Sequence, residues 1–138
     1  MKHLKLALTM ILLSVQPVWA ESFPFMGEAN DRKFYIDSDN IKKNGNFRMV
    51  LIIMNRPSKG ADGQLSHVSR YEYDCYEEKR RERSWAEYSE LFGKGEMTRS
   101  KDNVDTSWGQ WFRVGKGPND PDPVTIISTK IMNFICAK

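Results

Sequence analysis

Histidine and cysteine are scarce in this sequence: 138 residues contain two of each, His3 and His67, Cys75 and Cys136. With only His67 outside the first twenty residues, His-rich metal sites and paired-histidine mechanisms are excluded, and a Ser-His-acid arrangement would have to use it. His67 follows Ser66 in an alternating segment, where a lone histidine is ordinarily a strand residue. Also missing are a Gly-rich phosphate loop, a Cys-x-x-Cys pair and a nucleotide fingerprint; Gly93-Lys94-Gly95 reads as a flexible turn. No catalytic residue, metal ligand or cofactor follows, and the protein is not expected to be an enzyme.

Long apolar runs are confined to the N-terminus. Met1-Lys2-His3-Leu4-Lys5 is a short basic start, followed by Leu6 to Leu13 and then Val18-Trp19-Ala20. That is the pattern of a secretory signal peptide over 1–20, cut between Ala20 and Glu21. Its apolar core is shorter than the roughly twenty residues a membrane helix needs, and the longest later candidate, Met49 to Met54, is shorter still. No cysteine lies near the junction, so no lipoprotein anchor is expected. The sequence therefore predicts export, to the periplasm or the cell exterior.

Charge of one sign is lacking too. Of 21 basic residues, Lys2 and Lys5 leave with the signal, so the mature chain carries 21 − 2 = 19 basic and 18 acidic residues, a net charge of +1. Nothing global points to nucleic acid or an anionic membrane; only local patches can matter. The remaining 138 − 20 = 118 residues suit one domain, 21–138. In an oxidising compartment its two cysteines have only each other, which predicts a Cys75–Cys136 disulfide. Closing that loop is worth roughly 4 kcal/mol in the chain-entropy model.

Along the mature chain, residues 21–33 show no sustained period and read as a partly ordered lead-in. Lys33 to Asp37 is a short strand, Ile41 tucks inward within a turn, and Asn44-Gly45 launches the next strand. Phe47 to Asn55 is apolar on both faces: Phe47, Met49, Leu51 and Ile53 on one, Val50, Ile52 and Met54 on the other. Such a strand is expected to be buried on both, its second face covered by the C-terminal segment or another subunit. Residues 56–63 are dense in breakers and read as an exposed loop.

From Leu65 to Tyr76 the chain alternates, with His67, Ser69, Tyr71, Tyr73 and Cys75 on one side. Residues 79–88 then return as the second arm of a hairpin, with helix as the competing reading for 77–92 because Glu, Arg, Lys and Ala dominate it. Gly93-Lys94-Gly95 and then Ser100 to Ser107 read as loops around a short strand, and Trp108 to Val114 as aromatic packing into a turn. Asp122-Pro123 looks like a helix start, and Val124, Ile127, Ile131 and Phe134 or Ile135 form one apolar helical stripe. The β-branched run Val124 to Ile127 leaves a strand open.

The carboxylates Glu72, Asp74, Glu77 and Glu78 lie among Arg70, Lys79, Arg80 and Arg81, which reads as cross-strand ion pairing. Lys79-Arg80-Arg81 with Arg83, flanked by Trp85 and Tyr88, is the constellation that suggests a ligand: an anionic surface, an acidic segment or a sulfated sugar. A solvated face neutralised by Glu77, Glu78 and Glu82 is the competing reading.

Several short segments occur in an order and spacing that resemble the surface-adhesin protein E family of Gram-negative bacteria. They are Phe34-Tyr35-Ile36-Asp37-Ser38-Asp39-Asn40-Ile41, the apolar strand at 47–54, Tyr71-Glu72-Tyr73-Asp74-Cys75, Leu91-Phe92-Gly93-Lys94-Gly95 and the terminal Ile135-Cys136. The resemblance implies an α+β, mainly β fold: an antiparallel sheet of about five to six strands with a C-terminal helix packed on it, tied by Cys136 to the strand holding Cys75. It implies homodimers that cover an apolar sheet face such as Val50, Ile52 and Met54. It further implies binding of host matrix or plasma proteins, vitronectin or laminin for example, through a basic region that maps to Arg70, Lys79, Arg80, Arg81 and Arg83. A soluble periplasmic inhibitor or accessory protein is the alternative, since small disulfide-closed β domains also serve that role.

Overall fold

The computed structural model describes residues 23–102, 112–114 and 123–137. The signal segment 1–20, the aromatic stretch from Trp108 to Trp111 and the capping Asp122 lie outside them. The element order is β1 (Phe25–Ala29), β2 (Arg32–Ile36), β3 (Lys42–Asn44), β4 (Phe47–Asn55), β5 (Ser66–Asp74), β6 (Lys79–Tyr88), β7 (Met97–Asp102), β8 (Phe112–Arg113) and α1 (Pro123–Cys136). All strand pairs are antiparallel, in the spatial order β1-β2-β4-β5-β6-β7. The short β3 shares the side of β4 with β2, and the short β8 shares the side of β6 with β7.

The segment read as a lead-in is an edge strand. Phe25 to Ala29 pairs with β2 through a tight turn in which Asn30 and Asp31 both take positive φ, 52° and 62°. Two left-handed residues between paired strands are the geometry whose twist suits a hairpin, and Asn and Asp tolerate it better than other side chains. An irregular register between Phe25 and Gly27 hides the alternation that would have marked the strand. Gly27 belongs there for a second reason. A Cβ at that position would stand 2.8 Å from Cγ1 of Ile127 on α1.

β5 and β6 form the hairpin, and the helical alternative for 77–92 is absent. Its composition favours helix, but β6 pairs with β5 along nine positions, and tertiary pairing overrides propensity. The pairing is interrupted between Arg70 and Tyr71, where Arg83 is the extra residue on β6. Without that bulge the alternation of β6 would fall out of step with β5 at one end.

Helix α1 lies on one face of the sheet. Ile127, Ile131, Met132 and Ile135 are buried against Ile36, Val50, Ile52 and Tyr73, with Met26, Ala29 and Val114 closing the core. Each fully buried side chain of this size contributes about 1.5–3 kcal/mol. Val50 and Ile52 are thus covered by the chain's own helix, not by a second subunit, which corrects the dimer face expected from the family resemblance. The expectation that β4 is buried on both faces also changes: Phe47 is exposed, Met49 and Leu51 are half-buried, and only Ile53 on that side is fully enclosed.

Two covalent or charged ties hold α1 in place. Cys75 and Cys136 form the disulfide, with Cα atoms 5.7 Å apart. Arg48, buried near the start of the apolar strand β4, donates from Nε to the carbonyl of Ile135 at 3.2 Å and from Nη1 to the carbonyls of Gly45 and Phe47. The last carbonyls of a helix have no intrahelical partner and carry partial negative charge, so a guanidinium there caps the helix from outside.

Candidate functional site

The face of the sheet away from α1 is laid out by the strand registers. Across it run the rows Asn44–Phe47–Asp74–Lys79, Lys42–Met49–Glu72–Arg81 and Leu51–Arg70–Ser84. Residues directly opposite in paired strands share a face, so these rows place an apolar strip between two charged ones. The strip and its borders form a groove of about 890 Å³, floored by Met49 and Leu51 and edged by Lys42, Phe47, Arg70 and Arg81.

Charge in the groove is unevenly balanced. Arg81 pairs with Glu72, Nη2 to Oε1 at 2.8 Å, with Nε donating to the same oxygen at 3.0 Å. Both side chains are about one-fifth exposed, so the pair is less screened than a fully solvated one. Arg70 is exposed and makes no ion pair among the described residues, and the same holds for Lys42. Positive charge is therefore left over on both rims.

The five basic residues singled out in the sequence do not form one patch. Arg70 and Arg81 stand together in the groove. Lys79 pairs with Glu77 at 3.0 Å beside the turn. Arg80 faces the opposite side, its guanidinium 4.7 Å from the centre of the Tyr71 ring beside α1. Arg83 occupies the bulge. A basic run within a strand is split between two faces by the pleat, which composition alone does not show. Lys42 enters the groove from a short strand distant in sequence, and only the β3–β4 pairing brings it there.

On the helix side, Tyr71 is held protonated up to about 12: burial raises it, the Arg80 charge lowers it, and Glu82 raises it. Tyr73, fully enclosed, is also raised by burial, with Arg80 opposing. His67 stacks on Trp85, ring centres 5.2 Å apart, and its Nδ1 lies 3.4 Å from Oε1 of Glu87. Among the described residues no group of three His, Cys, Asp or Glu side chains is placed to hold a metal, and no helix is long and apolar enough to cross a membrane.

Comparison with known proteins agrees with this architecture. A family model described as surface-adhesin protein E matches residues 23–137. Solved structures of Haemophilus influenzae protein E are similar in fold. The selenomethionine form gives a TM-score of 0.59 at 15% identity, covering 86% of this chain and 88% of that one. Crystal form II gives 0.56 at 13% identity, covering 85% and 88%. No curated protein matches the sequence.

Proposed function

The chain belongs to the surface-adhesin protein E family, and from that membership we propose that it is an exported, non-catalytic binding protein that captures host matrix or plasma proteins, such as vitronectin or laminin, on the helix-free face of its sheet. The groove carries this reading: an apolar floor of Met49 and Leu51 supplies contact area, and Arg70 and Lys42 supply positive charge that forms no ion pair among the described residues. Of the basic residues in the sequence cluster, Arg70 and Arg81 are the ones that serve the partner directly. Lys79, Arg80 and Arg83 act at most through the field they add. An acidic or sulfated segment is the complementary ligand, because apolar contact gives affinity while unlike charge steers encounter.

Capture of purified vitronectin and laminin on the disulfide-bonded mature domain tests this. The Lys42→Ser/Arg70→Ser variant is expected to bind several-fold more weakly at low salt with its melting temperature unchanged. Wild-type binding should fall as salt is added, since exposed charges are screened over about 8–10 Å near physiological ionic strength. Equal capture by variant and wild type rules the groove out. Surface labelling of intact cells separates display from a periplasmic inhibitor or accessory role, in which the protein is released only by osmotic shock.

A further inference from the structure

A second concavity on the same face, at the β1–β2 edge, has a different chemistry. The loop 89–96 is folded over the sheet by two buried polar residues: Asn55 accepts from the Phe92 amide at 2.9 Å, and Ser66 accepts from the Gly93 amide while bonding the Glu90 carbonyl. Phe92 is thereby held at φ 58°, ψ 33°, a left-handed conformation that a bulky side chain adopts only when its surroundings over-determine it. The result is an aromatic platform. Phe92 meets Tyr35 edge-on with ring centres 4.9 Å apart and stacks on Phe23 at 5.7 Å, and Tyr35 touches Phe25, which is 50% exposed. A core-forming cluster would enclose these rings; this one leaves a cleft of about 530 Å³ beside Tyr35, Phe92 and Leu91.

The cleft's walls carry Glu28 and Asp31 from the first hairpin, Lys33 beside them, and Arg56, which follows the Asn55 paired with Lys33. None of the four makes an ion pair among the described residues, although Glu28 and Lys33 are direct cross-strand partners. Two carboxylates and two cations around aromatic rings are balanced in charge; the Nε of Arg56 donates to the Ser58 carbonyl at 3.4 Å, and its terminal guanidinium nitrogens, the Lys33 ammonium and the two carboxylates supply donors and acceptors. That matches a neutral, polyhydroxylated ligand, whose apolar ring face lies on an aromatic side chain while its hydroxyls are bridged by carboxylate and guanidinium. It offers an anion no net attraction, since the two acids offset the two cations. The volume falls within the roughly 300–1,000 Å³ of small-molecule sites.

We propose that the Tyr35–Phe92 cleft is a binding site for neutral saccharide, separate from the basic groove. The test is binding of neutral oligosaccharides terminating in glucose, galactose or mannose, alongside sulfated ones, to the mature disulfide-bonded domain, read by saturation-transfer NMR and titration. At least one neutral class should bind, with Tyr35 and Phe92 signals perturbed and with affinity unchanged by added salt. Asp31→Asn keeps a side chain that accepts the turn's positive φ, and Arg56→Gln keeps an amide donor; each should weaken binding by about tenfold, one charge-assisted hydrogen bond, at unchanged melting temperature. No neutral oligosaccharide bound, or binding indifferent to both variants, overturns the proposal. Binding of sulfated sugars alone, lost with salt and in the Lys42→Ser/Arg70→Ser variant, also overturns it and leaves the basic groove standing.

Discussion

Arg48 looks out of place in Phe47-Arg48-Met49-Val50-Leu51-Ile52-Ile53, and its role depends on residues 87 positions away. Its guanidinium satisfies the Ile135 carbonyl at the helix end, the Gly45 carbonyl of the β3–β4 turn and the Phe47 carbonyl at the start of β4, so one side chain ties the helix to the sheet. Arg48→Ala is expected to lower stability by about 1.5–3 kcal/mol, the worth of hydrogen bonds to a charged group, measured by denaturant unfolding. Tyr71 and Tyr73 make a pH-dependent contribution at the same scale. Both are neutral when protonated, and both hold the proton more tightly in the folded chain than the ordinary value of 10.0. Their burial therefore stabilises fully below pH 10; the Tyr71 contribution is lost as pH rises toward 12, and that of Tyr73 as pH rises through its own raised value. The denaturation midpoint should fall over that range, and Tyr71→Phe should fall less steeply; parallel curves for the two proteins would refute the assignment.

At the scale of elements, α1 and the sheet are one cooperative unit. The helix is amphipathic along Ile127, Ile131 and Ile135, but fourteen residues are marginal as an isolated helix, so its stability comes from docking. The disulfide holds it against β5 by a closure of 61 residues. Cys136→Ser should cost about 2–5 kcal/mol, as expected for a small secreted domain, and calorimetry of the exported protein with and without reductant checks it. The β5–β6 hairpin shows why element type was only partly legible. Residues 65–76 alternate clearly, whereas Lys, Arg, Glu and Ala, all good helix formers, dominate 79–88, and the pairing partner decides between the two.

For the whole molecule, the registers build two unlike faces from strands that look similar in sequence. One is closed by α1; the other stays open, with a basic groove at one end and an aromatic cleft at the other. Export is the remaining expectation at this scale. N-terminal sequencing of the protein recovered from the producing cell should begin at Glu21, and a start at Met1 would remove the basis for the extracytoplasmic disulfide.

Periodicity and turn chemistry were enough for β2, β4, β5 and α1, for the core identity of Ile127 and Ile131, and for the disulfide, because two cysteines admit a single intramolecular pairing. These are local or combinatorial properties, and they survive without coordinates. The first strand escaped because its register is irregular at Gly27, whose freedom is needed for a helix packed against it from the other end of the chain. The basic cluster was visible as residues but not as a surface. Alternation sends Arg80 to the helix and Arg81 to the groove, while Lys42 and Arg70 converge from different strands. A contiguous sequence fixes which side chains exist, and only strand pairing, which joins positions far apart along the chain, decides which of them meet.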